Sequence, residues 1–217
     1  MLPPFIQPML AGCAAEPFNS RDHLFELKWD GIRCLAFVGH KGVRLQSRKL
    51  LDLTAQFPEL SSLNELPSGT VLDGELVVLK EGRPSLSSIL KRVQLGNRER
   101  KQWLSRSLPA TYVAFDLLYT QGHPLLHEPL IDRRAQLEKL FQTGKLPNVC
   151  PSEAIRGQGV ELFAAATKFQ LEGIMAKYLY APYLPGKRSR HWLKIKPKTQ
   201  SSDARPGSAR LSLQVLG

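Results

Sequence analysis

The sequence predicts a mixed α/β (α+β) fold in one large domain. Apolar runs with alternating side chains are interleaved with stretches in which Leu and Phe recur at helical spacing, which favours a mixed fold over a helical bundle. With 217 residues, of which 42% are hydrophobic, the chain can fill a sizeable core without cross-links such as disulfides or structural metals. No repeat of solenoid length occurs in the sequence.

The first half of the chain is predicted to contain an irregular lead-in, strands and short helical pieces. Residues 1–20 are rich in Pro and small residues and predict an irregular lead-in. Two strands are then expected to meet at a tight turn around Lys28. The elements that follow are a hairpin over 35–47 with its turn at 39–42, short helical pieces over 53–66 that Pro58 limits, and a strand over 71–79.

The second half alternates between helices and strands. The expected elements are a helix over 85–95, a basic loop over 91–101, a strand over 112–119, helices over 131–141 and 160–169, a strand beside the acid and glycine of 171–177, and a last strand over 191–196. On that last strand Lys194 and Lys196 share one face. The composition of residues 199–217, rich in Ser, Arg, Gly and Pro, predicts a disordered tail.

The charge of the chain favours a polyanionic partner. Its 30 Lys+Arg exceed its 19 Asp+Glu, for a net charge of +11. An excess of this size is typical of proteins that bind nucleic acid, although charge alone does not choose among polyanions.

Cysteine spacing and hydropathy indicate the cellular compartment in which the protein is expected. Cys13, Cys34 and Cys150 are far apart and odd in number, so we expect reduced thiols and neither a disulfide framework nor a zinc site. The start of the sequence does not resemble a signal peptide, and no run of 18 apolar residues occurs. We therefore expect a cytoplasmic protein with no membrane partner.

Lys28 is the predicted nucleophile. It stands in the stretch Glu26-Leu27-Lys28-Trp29-Asp30-Gly31-Ile32-Arg33. A lysine amine attacks only when it is neutral, which requires burial or nearby cations, and Arg33 is one candidate cation. A lysine in a turn is by itself more often a solvated surface charge, so the rest of the chain decides the matter.

Other residues complete a set suited to nucleotidyl transfer. An amine that attacks an α-phosphate needs cations to stabilise the phosphoryl oxygens and a divalent metal to position the triphosphate. Carboxylates suit magnesium, and an aromatic ring can stack on adenine. The candidates are the carboxylates Glu75 and Glu172, the cations Arg33, Arg48, Arg188, Lys194 and Lys196, and the ring of Phe115.

Simpler interpretations apply to some of these residues. Phe115 lies in an apolar strand and also fits a core position. Asp73 and Asp116, which lie within predicted strands, also fit the capping of turns or the neutralisation of neighbouring lysines.

In chain order the motifs are Lys-x-Asp-Gly-x-Arg, Asp-Gly-Glu, Phe-Asp, Glu-Gly and Lys-x-Lys. This set resembles the ATP-dependent DNA ligases and related covalent nucleotidyltransferases, and its wording is most similar to bacterial ligase domains of the end-joining type. The resemblance covers about residues 8 to 197. It implies an ATP-grasp-like adenylation domain over residues 1–198, with two antiparallel-rich sheets flanked by helices and the nucleotide between the sheets.

The resemblance also implies a role for each site residue. Lys28 would form a lysyl-AMP phosphoramidate, and magnesium or manganese would be the metal. By the resemblance, Glu26 would lie near the adenine edge, Phe115 would stack on adenine, and Glu75 would contact the ribose or the metal. Glu172 would bind the metal, and Lys194 and Lys196 would contact the α-phosphate. Arg33 and Arg48 would contact the nucleotide or a 5′-phosphate.

The implied activity is the sealing of DNA nicks or ends in repair or recombination. Two features depart from the family pattern. No oligonucleotide-binding barrel is expected in this sequence, so a separate barrel domain or end-joining proteins would be partners. The sequence Ser-Arg-Asn-Gly, common in the family, is here Ser47-Arg48-Lys49-Leu50, which predicts a turn of different shape. An RNA ligase, a capping-type nucleotidyltransferase and a non-catalytic module that binds nicks or ends remain alternatives.

Overall fold

A computed structural model of the chain describes residues 2–94, 96–142 and 144–197. The predicted tail over 199–217 lies outside the described residues. Within them, the α-helices are α1 (Leu86–Val93), α2 (Arg98–Ser107), α3 (Leu130–Gln142) and α4 (Gly159–Lys168), and 3-10 helices span Thr54–Gln56 and Pro58–Glu65. The strands are β1 (Leu10–Cys13), β2 (His23–Leu27), β3 (Ile32–Gly39), β4 (Gly42–Ser47), β5 (Thr70–Val77), β6 (Leu79–Lys80), β7 (Arg83–Pro84), β8 (Thr111–Thr120), β9 (His123–Pro124), β10 (Val149–Pro151), β11 (Ala154–Arg156), β12 (Ile174–Tyr178) and β13 (Arg188–Ile195).

Two sheets carry the fold. The first sheet has the strand order β1-β13-β12-β2-β11, and the second has the order β10-β8-β5-β3-β4 with β9 beside β8. The pairs β1–β13 and β10–β8 are parallel, and the other pairs described in these two sheets are antiparallel. Strands β6 and β7 form a separate hairpin. The prediction of two antiparallel-rich sheets is confirmed.

Three clusters of apolar side chains hold together the two sheets and the helices on their outer faces. Between the sheets, Leu35 and Phe115 of the second sheet pack with Trp192 of the first. Helix α1 and the longer 3-10 helix cover the opposite face of the second sheet, and α4 packs on the first sheet, which it helps to bury around Phe25. The helices therefore flank the sheets and leave the space between them for a site.

Three local expectations were wrong. Strands β2 and β3 flank Lys28 as expected, but they do not meet at a tight turn: they belong to different sheets, so the stretch that holds Lys28 passes from one sheet to the other. The lead-in contains β1, which pairs with β13. The basic loop contains α2, which buries no side chain but is capped by Asn97 and held at its end by the buried Arg92, which donates to the carbonyl oxygens of Leu104 and Leu108.

The two strand aspartates have different partners from those expected. Asp73 accepts two hydrogen bonds from Arg33, both at 2.6 Å, and Asp116 accepts two from Arg133, both at 2.8 Å. Both carboxylates are fully buried. A guanidinium provides the planar pair of donors that a buried carboxylate requires, so arginines rather than lysines neutralise them.

None of the helices in the described part of the chain is long and apolar enough to cross a membrane.

Candidate active site

The predicted site residues converge on a cleft of about 300 Å³ between the two sheets. The cleft is lined by every residue predicted from the sequence except Glu172, whose carboxylate is bonded to two of the lining lysines. Its predicted lining residues are Glu26, Lys28, Arg33, Arg48, Glu75, Phe115, Arg188, Lys194 and Lys196.

Lys28 is held through both its backbone and its side chain. Its amide donates to the carbonyl oxygen of Gly173 at 2.9 Å. Its Nζ donates to Glu172 Oε2 at 2.5 Å, and Lys196 Nζ donates to Glu172 Oε1 at 2.6 Å. One carboxylate thus bridges the predicted nucleophile and a cation that directly follows the last strand. Partial burial raises the pKa of Glu172, but the hydrogen bonds from Lys196 and Lys28 outweigh burial and bring it below its usual value.

Two glycines allow the close backbone contacts around Lys28. A Cβ on Gly31 would overlap the carbonyl oxygen of Leu76, and a Cβ on Gly173 would overlap that of Ile195. Gly173 also has φ +126°, which L side chains rarely adopt. The glycines of the Lys-x-Asp-Gly and Glu-Gly motifs therefore allow the stretch that contains Lys28 to pack against β5, and they place Glu172 beside the amine.

The second sheet lines one side of the cleft with charged side chains that are paired with each other. Arg33 lies opposite Glu75 across β3 and β5. Its guanidinium is bonded to Asp73 and lies 4.8 Å from the ring centroid of Phe115. Burial lowers the pKa of Arg33, but the charge and hydrogen bonds of Asp73 outweigh it and raise the pKa above its usual value. Asp73 therefore compensates the charge of Arg33, the candidate cation beside Lys28.

The first sheet lines the other side of the cleft, and two of its lining residues, Lys177 and Trp192, were not predicted from the sequence. Lys177 is buried, and its Nζ donates to both oxygens of Glu26, at 3.0 and 3.1 Å. The same Nζ lies 4.2 Å from the ring centroid of Phe115 and 4.5 Å from that of Trp192. The carboxylate of Glu26 is thus held by Lys177. Burial lowers the pKa of Lys177, and the charge of Glu26 opposes this.

A period of two along the last strand would have located one of the missed residues, Trp192. Lys177 lies two positions after Met175 on β12, and Trp192 lies two positions before Lys194 on β13. In the register of the sheet, Trp192 is opposite Lys177 and Lys194 is opposite Met175. Since alternate residues of a strand share a face, extending the pattern of Lys194 and Lys196 backwards predicts Trp192.

The turn after Arg48 has a backbone shape that usually favours glycine. Leu50 has φ +67°, and its amide donates to the carbonyl oxygen of Ser47 at 2.9 Å. The hydroxyl of Ser47 also accepts from the amide of Leu51 at 3.0 Å. A leucine thus occupies the left-handed conformation, at a cost of roughly 1–2 kcal/mol, and Arg48 still lines the cleft.

Among the carboxylates of the cleft, Glu75 has the pKa that departs most from its usual value. Burial raises its pKa to about 8, while Arg33 and Lys28 oppose the shift and Asp73 and Glu172 add to it. A neutral carboxyl at this position can donate a hydrogen bond as well as accept one.

We expect Glu75→Gln to remove a pH-dependent loss of stability. Because the pKa is about 4.5 for a free side chain and about 8 in the fold, the folded state binds the extra proton, and stability falls as pH rises through this window. Glutamine stays neutral, so the variant should gain about 1–3 kcal/mol on the wild type between pH 5 and pH 9, a range discounted for the solvent that reaches the side chain. Denaturant unfolding at both pH values measures it, and a difference that is independent of pH would contradict the assignment.

Comparisons with known proteins point to one family. Residues 8–196 match the family model described as ATP dependent DNA ligase domain. The chain is 34% identical over 192 residues to the SPbeta prophage-derived DNA ligase-like protein LigB of Bacillus subtilis, covering 88% of this chain and 67% of that protein. It is 40% identical over 175 residues to the multifunctional non-homologous end joining DNA repair protein LigD of Mycobacterium tuberculosis, covering 79% of this chain and 21% of that protein. The chain thus spans only part of the length of each relative.

Solved structures show the same fold. The chain superposes on a structure described as mycobacterial DNA ligase D complexed with ATP and MES with a TM-score of 0.73 and 36% identity, covering 88% of this chain and 60% of that one. The ATP-dependent DNA ligase from bacteriophage T7, in complex with ATP, matches with a TM-score of 0.61 at 17% identity, covering 88% and 69% of the two chains. At that identity the second likeness concerns the fold alone.

Proposed function

The chain belongs to the ATP-dependent DNA ligase domain family, as its motifs indicated, and we propose that its cleft transfers adenylate from ATP to DNA through Lys28 and so seals nicks or ends in repair or recombination. One observation carries the proposal. The Nζ of Lys28 lies at the edge of a cleft rich in cations and aromatic rings, where Glu172 holds it at 2.5 Å. A positioned amine beside a site for a phosphate chain is the requirement for a covalent nucleotidyl intermediate.

In the first step the neutral amine of Lys28 attacks the α-phosphorus of ATP. The Nζ–P bond forms, the bond from phosphorus to the bridging oxygen breaks, and pyrophosphate leaves. Glu172 is the group positioned to accept the proton that Nζ loses, because its Oε2 already accepts the hydrogen bond from that nitrogen. Lys196 remains on the other oxygen and keeps the carboxylate in place.

The cations of the last strand, with Lys196 directly after it, are placed to stabilise the reacting phosphate. Lys194 and Lys196 lie two residues apart and both line the cleft, as does Arg188 at the start of β13. Charge develops on the phosphoryl oxygens as pyrophosphate leaves, and fixed cations are most effective where water is excluded. We assign the α-phosphate to the two lysines, and the region around Arg48 to the nucleotide or to a 5′-phosphate.

The base and ribose would occupy the inner part of the cleft. Phe115 and Trp192 provide apolar surface there, and the Glu26–Lys177 pair provides polar groups for the edge of the base. Glu75, with its raised pKa, can share a hydrogen bond with a ribose hydroxyl in either direction.

The carboxylates of the cleft would bind magnesium only together with substrate phosphates and water. No group of three or more His, Cys, Asp or Glu side chains within the described residues is arranged to hold a metal by itself. Magnesium, however, is commonly bound by one or two carboxylates together with substrate phosphates and water. Glu75, in its ionised form, and Glu172 would provide those carboxylates. The ion, or manganese in its place, would supply neutralisation of the triphosphate charge.

Two further transfers would complete the reaction. The oxygen of a DNA 5′-phosphate attacks the phosphorus bonded to Lys28, which releases the amine and forms a 5′–5′ pyrophosphate linkage between AMP and DNA. The 3′-hydroxyl of the neighbouring strand then attacks the 5′-phosphate, and AMP leaves. The amine regenerated at Lys28 is again held by Glu172.

Incubation with nucleotides labelled at the α-phosphate tests this proposal. Acid-labile label on the chain from ATP, but not from GTP, is the expected result. Label from GTP would favour a capping-type enzyme. No label from either nucleotide would favour a module that binds DNA ends without catalysis. A nicked DNA duplex and a matched RNA duplex, given to the adenylated protein, distinguish a DNA ligase from an RNA ligase.

We expect the affinity for DNA to depend strongly on salt. The net charge of +11 and the cations around the cleft favour contacts with the phosphate backbone, and such contacts release counterions. The logarithm of the binding constant should fall linearly with the logarithm of salt concentration, with a slope of about −0.9 for each phosphate contacted. Fluorescence anisotropy with a nicked duplex measures this slope, and an affinity unaffected by salt would oppose the expectation.

A further inference from the structure

A closed ring of hydrogen bonds holds Arg33 from behind. The guanidinium donates to Asp73 through Nε and Nη2, and Nη2 also donates to the carbonyl oxygen of Met9 at 3.2 Å. The hydroxyl of Tyr183 donates to Asp73 Oδ2 at 2.6 Å and accepts from the amide of Met9 at 2.9 Å. Each of these four residues is therefore bonded to two others of the ring.

The ring connects the two sheets. Arg33 lies on β3 and Asp73 on β5, which are neighbours in the second sheet. Met9 directly precedes β1, and Tyr183 lies between β12 and β13, so both are attached to strands of the first sheet. Met9, Asp73 and Tyr183 are buried. Because the four residues come from distant parts of the sequence, only the folded chain forms the ring.

The hydroxyl of Tyr183 fixes the plane of the Asp73 carboxylate. The hydroxyl oxygen accepts from the Met9 amide, so its single proton is free to be donated to Asp73. Oδ2 of Asp73 is therefore held from two sides, by Tyr183 and by Nη2 of Arg33. A guanidinium that donates two parallel hydrogen bonds to a carboxylate lies close to the plane of that carboxylate. Through Asp73, Tyr183 thus determines the orientation of the Arg33 guanidinium.

One nitrogen of Arg33 remains for a ligand. Asp73 and Met9 use Nε and Nη2, whereas Nη1 makes no hydrogen bond with the residues that the structure describes. The side chain is 20% exposed and lines the cleft. Its Cζ lies 4.8 Å from the ring centroid of Phe115 and 5.4 Å from that of Trp192. Arg33 therefore offers the cleft one donor group, beside two aromatic rings, in an orientation that the hydrogen-bonded ring determines.

We propose that Tyr183 is a positioning residue, whose hydroxyl holds Asp73 so that Asp73 aims Nη1 of Arg33 at an anionic oxygen of the substrate. This inference rests on the proposed ligase function, with Arg33 on the nucleotide or a 5′-phosphate. Tyr183 is buried and does not line the cleft, so it acts through its contacts. Without the hydroxyl, the ion pair remains but its plane is no longer fixed. A cation that is already oriented stabilises a transition state better than one that must reorient.

Tyr183→Phe tests the proposal, because it removes the hydroxyl and keeps the buried ring. Single-turnover rates are measured for self-adenylation of Lys28 and for transfer of AMP to a nicked duplex. The step that Arg33→Lys slows should also be slowed about tenfold by Tyr183→Phe, the effect of one lost hydrogen bond to a charged group. The matched control is Tyr112→Phe, which removes a buried hydroxyl that donates to the carbonyl oxygen of Cys34 at 3.1 Å. The control should react within about twofold of the wild type, although it also loses a buried hydrogen bond.

A double variant shows whether Tyr183 acts through Arg33. Arg33→Lys keeps a cation beside Asp73 but removes the planar fork, so the plane of the carboxylate no longer orients the side chain. Tyr183→Phe should therefore cause no further slowing when it is combined with Arg33→Lys. Three results would overturn the inference: equal slowing in the two backgrounds, a Tyr183→Phe variant as fast as Tyr112→Phe, or no effect of Arg33→Lys on either step.

A measurement without substrate separates this inference from the proposed function. The nitrogen–proton NMR signal of the Arg33 Nε–H group, identified by its absence from Arg33→Lys, reports the hydrogen bond to Asp73. Its exchange with water should be faster in Tyr183→Phe than in the wild type and in Tyr112→Phe. A wild type that forms no lysyl-AMP would refute the proposed function, whatever this signal shows. Equal exchange in the wild type and Tyr183→Phe would refute the inference alone.

Discussion

Replacement of Lys28 by Ala is expected to abolish covalent labelling by ATP, with a loss of more than about a thousandfold, since no other group can form the same phosphoramidate in that position. The fold should be affected little. The Lys28 side chain is partly exposed, and Glu172 would keep its ion pair with Lys196, so the stability change should be within about 1 kcal/mol. Labelling with α-labelled ATP and denaturant unfolding measure the two quantities.

Two variants separate nucleophilicity from charge. Lys28→Arg keeps a cation that can donate to Glu172 but has no amine that attacks phosphorus, so it should also fail to take label. Lys168→Ala, on an exposed residue at the end of α4, should label like the wild type. Label that persists in Lys28→Ala would show that another residue is the nucleophile.

Lys177→Met is expected to have the largest effect on stability among the variants of the cleft. Glu26 is 1% exposed and Lys177 is 2% exposed. Removal of the lysine leaves a buried carboxylate whose nearest remaining cation, Arg134, is 3.9 Å away. Breaking one side of a buried pair commonly costs about 3–5 kcal/mol, and we expect a loss near the lower limit because Arg134 remains. Urea unfolding at neutral pH measures it.

A double variant tests whether the loss arises from the unpaired charge. Glu26→Gln combined with Lys177→Met removes both charges, so much of the lost stability should return. Glu26→Gln alone should destabilise, because it leaves Lys177 buried without its carboxylate. If the double variant were as unstable as the sum of the two single variants, the pair would not be the cause, and lost packing against Phe115 and Trp192 would explain the effect.

Sequence patterns located most of the secondary structure where side-chain burial is periodic. The strands that became β5, β8 and β13 were expected within a few residues of their observed bounds, as were α3 and α4. Helix α2 was missed because its sequence has no apolar face: it buries no side chain, and the distant Arg92 holds its last turn. Strand β1 was missed because its pairing partner, β13, lies far along the chain.

The sequence by itself determined the family, which its ordered motifs identify, and the residues predicted for the site, of which all but Glu172 line one cleft. Only the tertiary structure decided how the charges of that cleft are distributed. Arg33 is compensated by Asp73, Glu26 is held by the distant Lys177, and Glu75 has a raised pKa. These properties depend on burial and on contacts between residues remote in sequence. A motif specifies residue types along the chain, but desolvation and Coulomb interactions depend on distances in space.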